Sequence, residues 1–262
     1  GKCGKNDAND AAAVCEAASR PSMRFVPTKS AAQQGMLCVH RLREGFKLDR
    51  TACINKIKKI KNKIGLVFAK SPEALQQALP DALEDACNEL PGVARLVIER
   101  AKDQWRELDE HIAWCDARIA AHLKQDAQVQ AAVQLQGVGP ITASAVVATV
   151  ADFKQFKNGA QFGAWLGLTP KQNSSGGKNK LGGITKRGDM YLRSLLIQGA
   201  KSAVTTAHRR EDPISRWVFA LREKLGWQKA AVALANKNAR ILWAVMVKER
   251  PFNAHHVSVQ LG

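Results

Sequence analysis

Apolar residues along this chain recur mostly three and four positions apart, the period of an amphipathic helix, and only one short stretch reads as a strand. From Lys29 to about Ala69, the residues Leu37, Leu42, Ile57, Ile60, Ile64 and Val67 largely keep that spacing, with Lys56, Lys58, Lys59, Lys61 and Lys63 between them. From Val93 to about Gln125, the residues Val97, Ala101, Leu108, Ile112, Cys115, Ile119 and Leu123 approximate a heptad stripe, the pattern of a helix that packs along another helix. That partner is either in the same chain or in a second copy. Ser71-Pro72 and Leu90-Pro91-Gly92 break the chain on either side of a short acidic helix.

The flanks carry further signals. Lys5 to Ala18, KNDANDAAAVCEAA, opens on the capping residues Asn6, Asp7, Asn9 and Asp10 and runs into an alanine-rich helix. Asp7 and Asp10, three apart, share one helix face, where they either complement the helix dipole or hold a divalent metal together. Arg20 to Pro27, RPSMRFVP, is β-prone and bounded by proline, an edge strand or a connection. Gln134 to Val150, QLQGVGPITASAVVATV, has the form of a helix-hairpin-helix: Gly137-Val138-Gly139 turns the chain, exposes amides and leads into Pro140 at the start of a new helix. Tyr191 to Thr206 predicts a helix with Leu192, Leu195 and Leu196 inward and Arg193 and Lys201 outward. Pro213 to Lys248 predicts two more, with Trp217, Trp227 and Trp243 on apolar stripes.

Charge changes the picture. Forty Lys and Arg face 23 Asp and Glu, a net +17, in a chain whose 45% hydrophobic content suffices for real cores. The excess points to a polyanion: nucleic acid, or an anionic membrane surface. No lipidation signal or long apolar run favours the membrane, so the expected setting is cytoplasmic. The six cysteines form no C-x-x-C pair and read as reduced thiols, mostly core. The chain opens on Gly1-Lys2-Cys3 without an initiator Met or signal-peptide pattern, which reads as the interior of a longer frame.

The charge is concentrated. From Phe153 to Arg210 there are eleven Lys and Arg and one acid, Asp189, which leaves +10 in this segment. Within it, Ser174 and Ser175 precede Gly176-Gly177 and are surrounded by Lys171, Lys178, Lys180, Lys186, Arg187 and Arg193. A serine oxygen on an exposed, tightly turned backbone among cations suits nucleophilic attack on a phosphodiester, because the cations stabilise charge gathering at phosphorus. The acidic stretch Pro72–Asp126, with twelve acids against six bases, is the opposite and predicts no DNA face.

Four runs stand together in the C-terminal half: Leu135-Gln136-Gly137-Val138-Gly139-Pro140, Phe162-Gly163-Ala164-Trp165-Leu166-Gly167-Leu168-Thr169-Pro170, Ser174-Ser175-Gly176-Gly177-Lys178 and Gly183-Ile184-Thr185-Lys186-Arg187-Gly188-Asp189 with Leu192-Arg193. As a set they resemble the insertion sequence 110 family of transposases, which includes the pilin-gene invertases. Lys5-x-Asp7-x-x-Asp10-Ala11 and Ala233-Leu234-Ala235-Asn236-Lys237 extend the resemblance over nearly the whole chain. It implies a mainly α protein: the C-terminal part of a RuvC-like, RNase H fold α/β domain (1–40), a helical coiled-coil segment (41–126), and an α-helical transposase domain with a helix-hairpin-helix and an active serine (127–262). It further implies strand cutting and rejoining by Ser175, with Ser174 as the fallback, and two of four acidic Mg²⁺ ligands at Asp7 and Asp10. The family's first Asp and its Glu have no counterpart here. Element ends and target DNA, a structured guide RNA and further copies in a dimer or tetramer are the implied partners. DNA contacts are expected at Gly137, Val138, Gly139, Lys171, Lys178, Lys180, Lys186, Arg187 and Arg193. The alternative is a non-catalytic DNA- or RNA-binding remnant of such a transposase.

Overall fold

The computed structural model describes residues 6–21, 23, 25–63, 71–85, 90–175, 178–249 and 252–253, with backbone alone at 61–63, 173–175 and 178–181. It is mainly helical. Helix α1 (Asp7–Ser19) begins at Asn6, whose side chain accepts from the Asn9 amide at 2.8 Å. Asn6 is therefore the cap, and Asp7 and Asp10 occupy the first turn, where their charge complements the dipole. No residue of α1 is buried.

Among the described residues of 1–40 the regular structure is helical; the described residues between 20 and 30 form no strand, and Phe25 and Val26 are exposed.

The next three helices build an arm. α2 (Ala31–Lys63), which runs unbroken through residue 40, and α4 (Gly92–Gln125) lie antiparallel. Positions that rise along α2 meet positions that fall along α4: Arg43 pairs with Asp116 at 2.7 Å, Phe46 stacks on His111 at 4.8 Å, Arg50 pairs with Asp109, and Cys53 Sγ lies 3.2 Å from the Ala101 carbonyl. The intrachain hairpin is thus the partner of the heptad stripe. Its true members are Ile98, Ala101, Trp105, Leu108, Ile112, Cys115 and Ile119, an unbroken alternation of threes and fours. Val97, expected on that stripe, faces water instead, as does Leu42 on α2.

α3 (Pro72–Glu84) closes the far end of the arm. Ser71 caps it by accepting from the Ala74 amide at 3.1 Å, and its Leu75 and Leu79 pack with Ile54, Ile57, Ile98 and Trp105. Ile64 and Val67, read as part of the α2 stripe, lie outside the described residues.

The remaining elements surround one buried helix. α5 (Ala127–Ala132) leads by a turn to α6 (Pro140–Thr149), in which every residue from Thr142 to Ala148 is buried. A helix apolar all round has no solvent face, so it becomes the axis of a core. α2, α4, α5 and α8 (Met190–Thr206) pack on it, and its Ala and Ser residues let their backbones come close. α7 (Gly159–Trp165) precedes an antiparallel pair, β1 (Pro170–Ser175) and β2 (Lys178–Ile184). α9 (Pro213–Leu225) and α10 (Trp227–Lys248) complete the domain, α10 packing against α7, α8 and α9. Trp227 and Trp243 join this core as expected, whereas Trp217 is 37% exposed with Lys237 Nζ 4.5 Å from its ring.

Candidate nucleic-acid interface and serine hairpin

Ser174 and Ser175 stand in a strand rather than in an irregular loop. Ser174 pairs with Asn179 and Ser175 with Lys178, so both serines and Lys178 and Lys180 lie at the far end of the β1–β2 hairpin from Pro170 and Ile184. Gly176 and Gly177, expected to turn the chain there, lie outside the described residues.

The base of this hairpin is held firmly. The Thr185 amide donates to the Thr169 carbonyl (2.9 Å) and the Lys186 amide to the Gly167 carbonyl (3.1 Å). Lys186 is forced to φ +58°, a left-handed conformation that costs a side-chain-bearing residue about 1–2 kcal/mol and persists because its own amide and that of Thr185 are pinned. Two glycines make the approach possible. Gly167 (φ +72°) and Gly188 (φ +111°) touch the Arg187 and Trp165 backbones so closely that a Cβ on either would overlap main-chain atoms. The result is a rigid corner that presents exposed Lys186 and Arg187 beside exposed Lys171. Asp189, the lone acid of this basic segment, is its structural end-stop: it caps α8 by accepting from the Leu192 amide at 2.8 Å.

Arg193 is corrected by the structure. Its side chain was expected to point outward, but it is 8% exposed and Nη1 donates to the Leu166 carbonyl at 3.1 Å. There the guanidinium neutralises the carbonyl end of α7, a use of charge that composition cannot distinguish from phosphate binding.

The turn expected to grip phosphate shows a mixed arrangement. Gly137 adopts φ +82° and lies against Gly199 of α8, 2.8 Å from where its own Cβ would stand to the Gly199 carbonyl oxygen. That glycine pair is needed for packing. Val138 is buried and its amide is spent on the Leu135 carbonyl (2.9 Å), so it does not offer the free N–H expected of it. Gly139 is the N-cap of α6 with no side-chain cap, and the adjoining cleft of about 720 Å³ is lined in part by Ser202, Arg210 and Asp212. Burial raises the Asp212 carboxyl, but hydrogen bonds from Ser215 and Arg210 outweigh it and hold the group ionised below its ordinary range. Gly199 is nine residues into α8 from Met190, about 14 Å along the axis. The glycine turn and the basic corner are therefore two stations on one helix.

Two residues that periodicity did not single out brace both stations from α10. Asn236 Nδ2 donates to the Leu168 carbonyl (3.0 Å) below the hairpin, and buried Asn238 donates to the Gln136 carbonyl (2.8 Å) at the turn. The available signal was a pair of amides flanking Lys237 in an alanine-rich helix.

A buried polar chain joins the arm to the core. Tyr191 OH lies 3.0 Å from His40 Nδ1, His40 Nε2 2.9 Å from Ser144 Oγ, Ser144 Oγ 2.8 Å from His122 Nδ1, and His122 Nε2 3.5 Å from Asp126 Oδ2. One proton assignment satisfies the three hydrogen bonds: the tyrosine donates to His40, His40 to Ser144, and Ser144 to His122, whose other nitrogen faces the Asp126 carboxylate. The Ser–His–Asp sequence has the form of a nucleophile triad, but Ser144 is fully buried, so it connects helices rather than meeting a substrate. Burial and the neighbouring Arg43 lower His40 to a pKa of about 4, and burial raises Tyr191 to about 12.

Asp7 and Asp10 remain together on one exposed face of α1. Among the described residues no cluster of three His, Cys, Asp or Glu side chains could hold a metal ion, so these two carboxylates do not by themselves make a Mg²⁺ site. Cys53 and Cys115 are buried with thiols pushed up by burial, Cys15 and Cys38 are exposed, and Cys3 and Cys87 lie outside the described residues. Among the described residues no helix is long and apolar enough to cross a membrane.

The basic hairpin, the corner and the glycine turn fall inside one matched family segment. Residues 130–214 match the family described as transposase IS116/IS110/IS902. The chain is 45% identical over 248 residues to a probable family 20 transposase of Pseudomonas aeruginosa, covering 94% of this chain and 73% of that one. It is 38% identical to the transposase for insertion sequence element IS1111A of Coxiella burnetii (96% and 69% covered) and 34% identical to that for IS1328 of Yersinia enterocolitica (96% and 75%). The chain belongs to the IS116/IS110/IS902 family of insertion-sequence transposases.

Proposed function

We propose that this chain cuts and rejoins DNA strands through a serine nucleophile, Ser175 with Ser174 as the fallback. The observation that carries the reading is the hairpin: two adjacent serines at its far end, with Lys178 and Lys180, on a base clamped beside exposed Lys171, Lys186 and Arg187. In the proposed step the serine oxygen bonds to phosphorus, the bond to one deoxyribose oxygen breaks, and the serine proton ends on that leaving oxygen. The phosphodiester is kept as a serine ester, so the reverse attack by another strand end reseals it without an external energy source. Lysines near the strand stabilise the charge on the non-bridging oxygens as it grows. Asp7 and Asp10 offer two of the oxygen ligands of a Mg²⁺ ion, whose chemistry would be to bind phosphate oxygens and a polarised water. Further carboxylates would have to complete such a site, and no step here depends on it. A structured guide RNA and further copies of the chain are proposed partners through the family relationship alone.

The test uses the complete reading frame with its DNA and guide RNA. Ser175→Ala should abolish a protein–DNA adduct that survives denaturation, and Ser174→Ala should leave most of it. Loss in Ser174→Ala alone moves the nucleophile by one residue. Absence of adduct in the parent leaves a binder without serine chemistry.

A further inference from the structure

The aromatic residues between α6 and the end of α7 form a cluster with one partly exposed member. Phe153, Phe156 and Phe162 are buried, while Trp165 is 38% exposed. Phe162 and Trp165 are nearly parallel (17°, centroids 5.8 Å apart), and Phe156 supports the indole at 5.4 Å. Such backing fixes the ring at little further entropic loss when a flat ligand is added. Cations lie close by: exposed Lys157 follows Phe156, and the corner bearing Lys186 and Arg187 packs through Gly188 directly on the Trp165 backbone. The serine strand starts five residues later, at Pro170.

We propose that Trp165 is a stacking platform for an unpaired nucleobase of the strand handled at the serine hairpin. This rests on the nucleic-acid reading above and goes beyond it by naming where a single strand is held. A base adds its π-face to the partly exposed indole, and its flanking phosphates meet Lys157, Lys186 and Arg187. The serine end of β1 lies about 17 Å from Pro170 at about 3.3 Å per strand residue, the height of about five stacked base pairs. A base held at Trp165 would anchor the strand near the base of the hairpin, away from its serine end, and so would not obstruct the attacked phosphate.

The experiment titrates the full chain against fluorescent oligothymidine and against a duplex. Trp165→Ala should weaken oligothymidine binding about tenfold to a hundredfold, the range for loss of one base–aromatic stack, while Trp165→Phe stays close to the parent and duplex binding is unaffected. In parallel, oligothymidine carrying 5-iododeoxyuridine should photocrosslink to Trp165 in the unaltered chain, a readout that holds even if Trp165→Ala loses its fold. Equal weakening of single strand and duplex, no change in either, or a crosslink confined to other residues would overturn the platform. A parent that binds neither form would bring down the nucleic-acid reading itself, whereas a parent that binds oligothymidine regardless of residue 165 would bring down this inference alone.

Discussion

The arm and the core are both packed helices, yet they are held together in opposite ways. Along α2 and α4 the contacts are made by long side chains: Arg43 to Asp116, Arg50 to Asp109, Phe46 on His111, with Ile57 and Trp105 filling the seam. Around α6 the packed side chains are small, Ala143, Ser144 and Ala145 among them, and beside it Gly137 and Gly199 bring main chain against main chain. The lesson is that the arm tolerates added atoms at many places and suffers when they are removed, while the core does the reverse. Sites whose geometry must be fixed, the clamped hairpin base and the glycine turn, are built on the part that cannot give.

The largest effect should come from adding atoms in the core. Gly199→Val places a branched side chain against the Gly137 carbonyl, and both partners are backbone, so neither can swing aside. A loss of more than about 4 kcal/mol is expected, beyond ordinary overpacking. Circular dichroism melting should show a drop of more than about 8 °C at about 2–4 °C per kcal/mol. A shift of a degree or two would mean that the two helices separate freely and that this contact is not what sets the turn.

Next in size is the chain of hydrogen bonds where the two regions meet. His40 is neutral in the folded protein, with its pKa lowered from 6.5 to about 4. Below pH 6.5 the unfolded chain takes up a proton that the folded one refuses, so stability falls as pH drops, and the loss is complete below about pH 4. The contribution is about 2 kcal/mol between pH 7 and pH 5 and about 3 kcal/mol in full. His40 faces Arg43 and Glu44 from its own helix, His122 from α4, Ser144 from α6 and Tyr191 from α8. Urea unfolding of the parent and of His40→Gln at both pH values isolates the contribution of this histidine: the variant should be less stable at pH 7 but lose about 2 kcal/mol less on acidification. Parallel losses in both proteins would assign the acid sensitivity to other groups.

How far these arrangements could be read from sequence follows from the same contrast. Side-chain packing at a seam repeats with the helix period, so the arm, its breaks at Ser71-Pro72 and Pro91-Gly92, and α8 to α10 were legible within a few residues. The stripe was still displaced at Val97 for Ile98, because adjacent apolar residues both satisfy an approximate heptad and only the partner helix decides. Backbone approach leaves no period. Gly199 gave no signal, and Arg193 reads the same in sequence whether it meets a phosphate or the end of α7. The hairpin strands were missed because PKQNSS and KNKLGGI lack the alternation of a half-buried sheet. A two-stranded pair with little core to cover has no reason to show it.

The smallest expected change is in the arm, at its largest buried side chain. Trp105 is 1% exposed, and among the described residues its Nε1–H has no hydrogen-bond partner. Shortening it to Phe removes part of a well-packed ring, which by itself costs about 1–3 kcal/mol in lost contacts and cavity. The same change removes an orphaned buried donor, worth about 1–3 kcal/mol in the opposite direction. Arg50, 5.8 Å above the indole, retains its Asp109 partner and has a phenyl ring left to cover, though a weaker one for a cation. Trp105→Phe should therefore lie within about 1 kcal/mol of the parent in urea unfolding, while Trp105→Ala should lose about 3–5 kcal/mol. If Trp105→Phe costs as much as a full cavity, the indole N–H has a partner, such as a buried water, and the arm's seam is more polar than its side chains imply.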